Sequence, residues 1–254
     1  KDDAKQVLKL VIQRLKSIFG QVRDKLCVVE GIHAEGPIIA TNGGLPDAEC
    51  DMSVDDFKLL VNEMMPALKV MTISPSLEKL VQYQRLQYLL DLGVKPALGH
   101  DTVADEDSIL SSLRLAAKKQ CQLHITHMYN VSAFHHRKQT LCNFGLASRF
   151  PKLPSYHGIE PPTVELIGDT VHVHPLTLQF TLDYKGSDVA MISDAIMDAH
   201  GGHVEYNDRQ VEVCRKNEKN YAVLKGTNTI AGSCSNTLQI FHNLLCDLHV
   251  SVEK

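Results

Sequence analysis

Four residues whose side chains can hold a divalent cation or move a proton occupy the same kind of place along this chain. Glu35, His100, His127 and Asp194 each come directly after a short apolar run. The chain carries thirteen histidines, and where they fall is more informative than how many there are. One carboxylate and two imidazoles supply three ligands, the catalytic pattern for a metal that keeps a position open for water. Such a metal lowers the pKa of its water from near 16 to about 7. Asp194 is then placed to take a proton from that water and to return it to a leaving group. A single histidine at a strand end is more often a hydrogen-bonded structural residue. Glu, His, His and Asp at successive strand ends are harder to assemble by accident. His33 shares Glu35's side of the chain and is expected behind the ligands, whereas His124 reads as a core or packing histidine. His172 and His174 follow a further strand after a short turn.

The elements that must position these residues can be read from periodicity. Apolar residues at helical spacing predict an amphipathic helix over 2–19. Strands are expected at 26–29, 70–73, 96–98, 122–126, 164–167 and 189–192. Helices are expected at 54–68, capped by Ser53 with Asp55 and Asp56 in its first turn, and at 77–92, stopped by Gly93. Further helices are expected at 104–119, 176–184 and 235–249. Residues 131–162 are irregular, and 201–229 read as a hairpin turning at Asn207–Asp208.

Six strand-plus-helix units alternate, which is the parallel α/β signature. The fold expected is an apparently incomplete (β/α)8 barrel of the metal-dependent hydrolase type, a single partial barrel domain over residues 1–254. In such a barrel every strand end lies on one face, so distant residues converge there. The bare start inside a helix suggests that the missing part lies at the N-terminus. The runner-up is an open doubly wound sheet, but no GxGxxG turn follows any strand.

Composition narrows the function. Of the 254 residues 44% are hydrophobic and 22% charged, and the net charge is −4. This is an ordinary globular balance, with no positive field for nucleic acid and no apolar run long enough for a bilayer. Seven cysteines without a CxxC pair point to reduced thiols and a cytoplasmic protein.

The segment Gly31-Ile32-His33-Ala34-Glu35-Gly36-Pro37 resembles the G-[LIV]-H-x-E-G-P motif of the N-acetylglucosamine-6-phosphate deacetylases, in the amidohydrolase superfamily. The resemblance continues in order through Gly99-His100, Thr126-His127-Met128-Tyr129-Asn130 and Phe134-His135-His136-Arg137. Asp169-Thr170-Val171-His172-Val173-His174-Pro175, Ile192-Ser193-Asp194-Ala195 and Ile230-Ala231-Gly232-Ser233 complete it. It covers roughly residues 26–245. It implies a metal-dependent deacetylase on a distorted (β/α)8 barrel, with Glu35, His100 and His127 as ligands and Asp194 as catalytic aspartate. It further implies that Asn130, Arg137 and His172 bind a sugar phosphate, that Ala231, Gly232 and Ser233 line the pocket, and that the chain forms a homodimer. The implied substrate is N-acetylglucosamine 6-phosphate. The implied cofactor is one divalent metal, zinc first, with iron, cobalt or manganese as alternatives.

Departures are as specific as the matches. The family's β-sandwich domain and its first-strand HxH motif are not found here. Asn42-Gly43-Gly44-Leu45-Pro46 lacks the family's substrate-reaching His, and Arg137-Lys138-Gln139-Thr140 replaces Arg-Glu-Pro-Gly. The rival reading is a truncated or divergent member without catalysis that binds a metal or a sugar phosphate.

Overall fold

The computed structural model describes residues 10, 12–14, 16–17, 22–23, 27–45, 52–196, 203–206, 209–216 and 218–251. Most of the helix expected over 2–19, and the turn at Asn207–Asp208, lie outside these residues. Leu10, Ile12, Gln13, Arg14, Lys16 and Ser17 are helical.

Two short strands, β1 (Val22–Arg23) and β2 (Cys27–Val28), pair antiparallel in a sheet of their own. The run at 26–29 is therefore not the first barrel strand, as its apolar character suggested. That strand is β3 (Ile32–Glu35), built from the motif residues themselves. It pairs parallel with β4 (Leu68–Ile73), and the series continues through β5 (Lys95–Leu98), β6 (His124–Ile125), β7 (Thr163–Ile167) and β8 (Val189–Ile192). Spatial order equals chain order across all six strands. A doubly wound sheet reverses its order at a switch point. This sheet never does, so it is an open arc of a (β/α)8 barrel.

Helices fill the crossovers. These are α1 (Val54–Met64), α2 (Pro75–Leu80), α3 (Gln84–Asp91), α4 (Glu106–Lys118), α5 (Leu141–Leu146) and α6 (Pro175–Lys185). Their starts follow the local chemistry of capping. Ser53 Oγ accepts from Asp56 N at 3.1 Å and Asp105 Oδ1 from Ser108 N at 2.7 Å. His174, a candidate for chemistry by its position after a strand, instead caps α6, its Nδ1 accepting from Leu176 N at 3.2 Å. The core lies between helices and sheet: Phe57, Val61, Leu86, Leu89, Ile109, Leu113 and Leu178 pack with Met71, Ile73, Leu98, Ile125, Val164 and Leu166.

The helix expected over 77–92 is two helices. Gln82 and Tyr83 have φ of 53° and 60°, and Tyr83 N donates to Glu78 O at 2.8 Å. The buried Glu78 carboxylate explains the break. Its Oε1 accepts from Arg85 Nε at 2.6 Å and its Oε2 from Leu86 N at 2.9 Å, capping the second helix with the end of the first.

After β8 the chain forms a four-stranded antiparallel sheet, larger than the expected hairpin. It contains β9 (His203–Tyr206), β10 (Arg209–Lys216), β11 (Lys219–Leu224) and β12 (Ile230–Ser233). The closing helix is shorter than expected: α7 (Thr237–His242) runs into a π-turn over Asn243–Asp247. Among the described residues no helix is long and apolar enough to cross a membrane. Cys121, Cys142, Cys214, Cys234 and Cys246 are free thiols.

Candidate metal centre

Because β3 to β8 run parallel, their C-terminal ends share one rim. Glu35 is the last residue of β3, His100 follows Gly99 after β5, His127 follows Thr126 after β6, and Asp194 follows Ser193 after β8. Three of these four turn through left-handed backbone, with φ of 50° at His100, 23° at His127 and 48° at Asp194. Side chains other than glycine rarely adopt such φ, and functional sites are where the strain is tolerated.

The rim holds each of them in place. Ser74, fully buried at the end of β4, donates through Oγ to Gly99 O and His100 O, both at 3.0 Å. Thr41 N donates to His100 O at 2.8 Å. The neighbouring Asp101 accepts from Ser76 N at 2.7 Å in the first turn of α2. Asp194 is held by β12: Ser233 N donates to Asp194 O at 2.8 Å, and Ile196 N to Ser233 O at 3.1 Å. A Cβ at Gly232 would lie 3.1 Å from Asp194 O and 2.5 Å from Ile196 Cγ2, so this close passage needs glycine. The 41–45 loop closes over the same rim. A Cβ at Gly44 would lie 2.7 Å from both Ala231 Cα and Ile230 O.

At the centre, Glu35 Oε1 lies 2.8 Å from His100 Nε2 and 2.7 Å from His127 Nε2, and the two Nε2 atoms are 2.9 Å apart. Among the described residues this is the one group of three such side chains with donor atoms this close. The tautomers decide what the triangle needs. His100 Nδ1 lies 2.9 Å from Thr41 O, which can only accept, so Nδ1 carries a hydrogen. A neutral His100 then points a bare Nε2 lone pair at a carboxylate oxygen. Only positive charge at that spot, from a proton or from a metal ion, relieves the repulsion. The donor set of two imidazoles and one carboxylate fits a divalent metal.

The electrostatics agree. Burial alone would raise Glu35, but hydrogen bonds and charge from His100 and His127 outweigh it and hold the carboxyl well below its ordinary range. His127 shifts up: burial opposes its charged form, and Glu35 and Asp194 overcome that. Its Nδ1 is buried with no hydrogen-bond partner among the described residues. Burial pushes Asp194 up, and the charge of Glu35 adds to this against His127, His172 and His100.

His172 lies near enough to act on Asp194 by charge. Its Nδ1 donates to Asp169 Oδ2 at 2.6 Å, and Asp169 Oδ1 accepts from the backbone N of Val171 and His172, both at 2.9 Å. Both side chains are almost fully buried, so the imidazole is fixed with Nδ1 protonated. Asn130 closes the turn after His127, its N donating to His127 O at 2.8 Å. Arg137 is exposed in a loop organised by His135, whose Nδ1 accepts from Arg137 N at 3.1 Å and Lys138 N at 2.9 Å. Ala231, Gly232 and Ser233 form the β12 strap against Asp194.

Sequence reasoning passed over two carboxylates. In the sequence Asp169 is only one member of a motif and carries no role of its own. Glu165, in the middle of β7, faces His33 Nδ1 at 3.4 Å and His124 Nε2 at 3.2 Å through Oε1. His124 is buried, as expected of a core or packing histidine, with Nδ1 2.6 Å from Thr163 Oγ1. His33 Nε2 lies 2.9 Å from Thr72 Oγ1. Burial would raise Glu165, but hydrogen bonds and charge from His124 and His33 hold it well below its ordinary range. The available signal was a glutamate at the centre of an otherwise apolar strand.

No model of a known protein family matches the chain. Among curated proteins, the chain is 30% identical over 210 residues to the N-acetylglucosamine-6-phosphate deacetylase of Bacillus subtilis (strain 168). That stretch is 80% of this chain and 47% of the relative. It is 26% identical over 232 residues to the enzyme of the same name from Vibrio furnissii, 88% of this chain and 52% of that one. The chain therefore spans about half the length of the curated relatives it matches.

Solved structures agree on the fold. The N-acetyl-D-glucosamine-6-phosphate deacetylase of Mycobacterium smegmatis, a mutant in complex with N-acetyl-D-glucosamine-6-phosphate, superposes with a TM-score of 0.75. Identity is 21%, covering 99% of this chain and 60% of that one. The enzyme from Pasteurella multocida gives 0.71 at 17% identity, covering 100% of this chain and 60% of that one. By sequence and by fold together, this chain is a relative of the N-acetylglucosamine-6-phosphate deacetylases.

Proposed function

We propose that the chain is a metal-dependent amidohydrolase that removes acetate from N-acetylglucosamine 6-phosphate. The observation that carries this reading is the triangle of Glu35 Oε1, His100 Nε2 and His127 Nε2, with edges of 2.7–2.9 Å. A divalent cation held there, with zinc first and iron, cobalt or manganese as alternatives, supplies Lewis acidity towards a carbonyl and an acidified water. Asp194 takes the proton of the attacking water as the new C–O bond forms. It returns that proton to the amide nitrogen as the C–N bond breaks, leaving acetate and a free amine. His172, its Nδ1 donating to Asp169, keeps Nε2 as an acceptor for a hydroxyl or N–H of the substrate. Asn130 and Arg137 serve the phosphate, a guanidinium being suited to its oxygens, and the β12 strap from Ala231 to Ser233 walls the sugar. Arg137 is exposed, which suits a place at the edge of a homodimer or at the pocket mouth. The reading places this chemistry in the cytoplasm.

The test is acetate release from N-acetylglucosamine 6-phosphate by the purified chain, with and without a chelator. Release that stops on chelation and returns with zinc supports the reading. Stoichiometric metal without release contradicts the hydrolase and favours a member that only binds metal or sugar phosphate.

A further inference from the structure

Glu165 takes no part in the chemistry proposed above, yet the stretch that carries His127 hangs from it. Thr126 Oγ1 donates to Glu165 Oε2 at 2.8 Å, His127 N donates to the same oxygen at 3.3 Å, and Met128 N donates to Glu165 O at 2.8 Å. His124 Nε2 and His33 Nδ1 face the other carboxylate oxygen at 3.2 Å and 3.4 Å. One residue of β7 therefore gathers four residues of β6 and the turn after it, 124 and 126 to 128, and one residue of β3 two positions before Glu35. The carboxylate is nearly buried, and both its oxygens are in use. His127 needs such a hold, because its φ of 23° is one that a side-chain-bearing residue leaves unless its neighbours fix it.

These three groups are not a second cation site. His33, His124 and Glu165 do not close as Glu35, His100 and His127 do. We infer that Glu165 is a positioning residue: it pins the strained backbone of His127, and through His33 the end of β3, so that His127 Nε2 and Glu35 Oε1 stand ready around one cation. The inference rests on the metal reading of Glu35, His100 and His127. Glutamine at 165 keeps the size but replaces one acceptor oxygen with an NH2 group, which cannot accept from the donors it would face. Groups that orient metal ligands typically cost 10–100-fold in affinity when changed.

Co2+ titration tests this with the full chain, reading the visible d–d band, affinity by chelator competition, and far-UV circular dichroism. Wild type should bind one Co2+. Glu165→Gln should bind about 10–100-fold more weakly, with an altered band and an unchanged far-UV spectrum. Thr126→Val removes one hydroxyl donor and keeps the carboxylate, so it should move the band and the affinity the same way by less. Where Glu165→Gln folds, a wild-type band and affinity in that variant overturn the inference. Where it does not fold, the same result in Thr126→Val overturns it. Wild type that shows no Co2+ band removes the metal reading itself, an outcome that involves no variant and so is told apart from failure of the role of Glu165.

Discussion

Asp194 and Glu35 are both carboxyls on one rim, and their surroundings push them in opposite directions. Asp194 is raised above the ordinary aspartate value of 3.8 by burial and by the charge of Glu35. Turnover needs Asp194 ionised, so kcat/KM should fall on the acid side as Asp194 takes up its proton, and a cation bound beside it would move that limb to lower pH. Asp194→Asn should keep fold and metal and lose activity by about 10²–10⁴-fold. More than a tenth of the wild-type rate in that variant would remove the assigned role. Glu165 has the opposite sign. Its folded value lies below the ordinary 4.5, so its contribution to stability is whole above pH 4.5 and is lost as pH falls through the folded value. Urea midpoints measured from about pH 6 downwards should fall less steeply in Glu165→Gln than in wild type, and parallel curves would contradict this. The convergence of Glu35, His100 and His127 could be read from sequence because each follows an apolar run, and parallel strands send such ends to one face. Glu165 could not, since a charge inside a strand announces only that it must find partners. Those partners lie 38 to 132 residues away.

At the level of elements, the capped helices and the parallel strands were legible because caps and periodicity are local. The break between α2 and α3 was not: the apolar spacing of 77–92 is that of one helix, and the break is imposed by the Glu78–Arg85 pair. Arg85 also donates from Nη1 to Met52 O and from Nη2 to Leu77 O, both at 3.0 Å, binding the entry of α1 to the break. Burial raises Glu78 in spite of the Arg85 charge. The pair is thus held against its desolvation cost, and breaking it should cost far more than forming it gains. Arg85→Ala should lower stability by about 3–5 kcal/mol in denaturant melts, and a loss under about 1 kcal/mol, the scale of an exposed pair, would show that the pair is dispensable. The β12 strap makes a separate prediction. Gly232→Ala forces a Cβ against Ile196 and the carbonyl of Asp194, so it should reduce kcat while leaving metal stoichiometry intact. An unchanged kcat would free Asp194 from dependence on the strap.

Across the whole molecule, six strands in unbroken chain order bring side chains from residues 35 to 194 onto one end of an arc. A small antiparallel sheet is joined to the same end by the Ala195–Ser233 bridge, and the π-turn after α7 by Asn243 Nδ2 donating to Gly168 O at 3.0 Å. The long-range sheet order was legible as a barrel only through the repetition of strand-helix units. The four-stranded sheet was legible only as its β9–β10 hairpin, because β11 and β12, which complete it, are short runs set among polar residues. The account depends most on the cation that this end is built to hold. Crystals of the chain grown with zinc and measured at the zinc absorption edge test it directly. One anomalous peak within bonding distance of Glu35 Oε1, His100 Nε2 and His127 Nε2, lost in His100→Ala, is the predicted result. A peak at other residues, or none at this triangle, would contradict it.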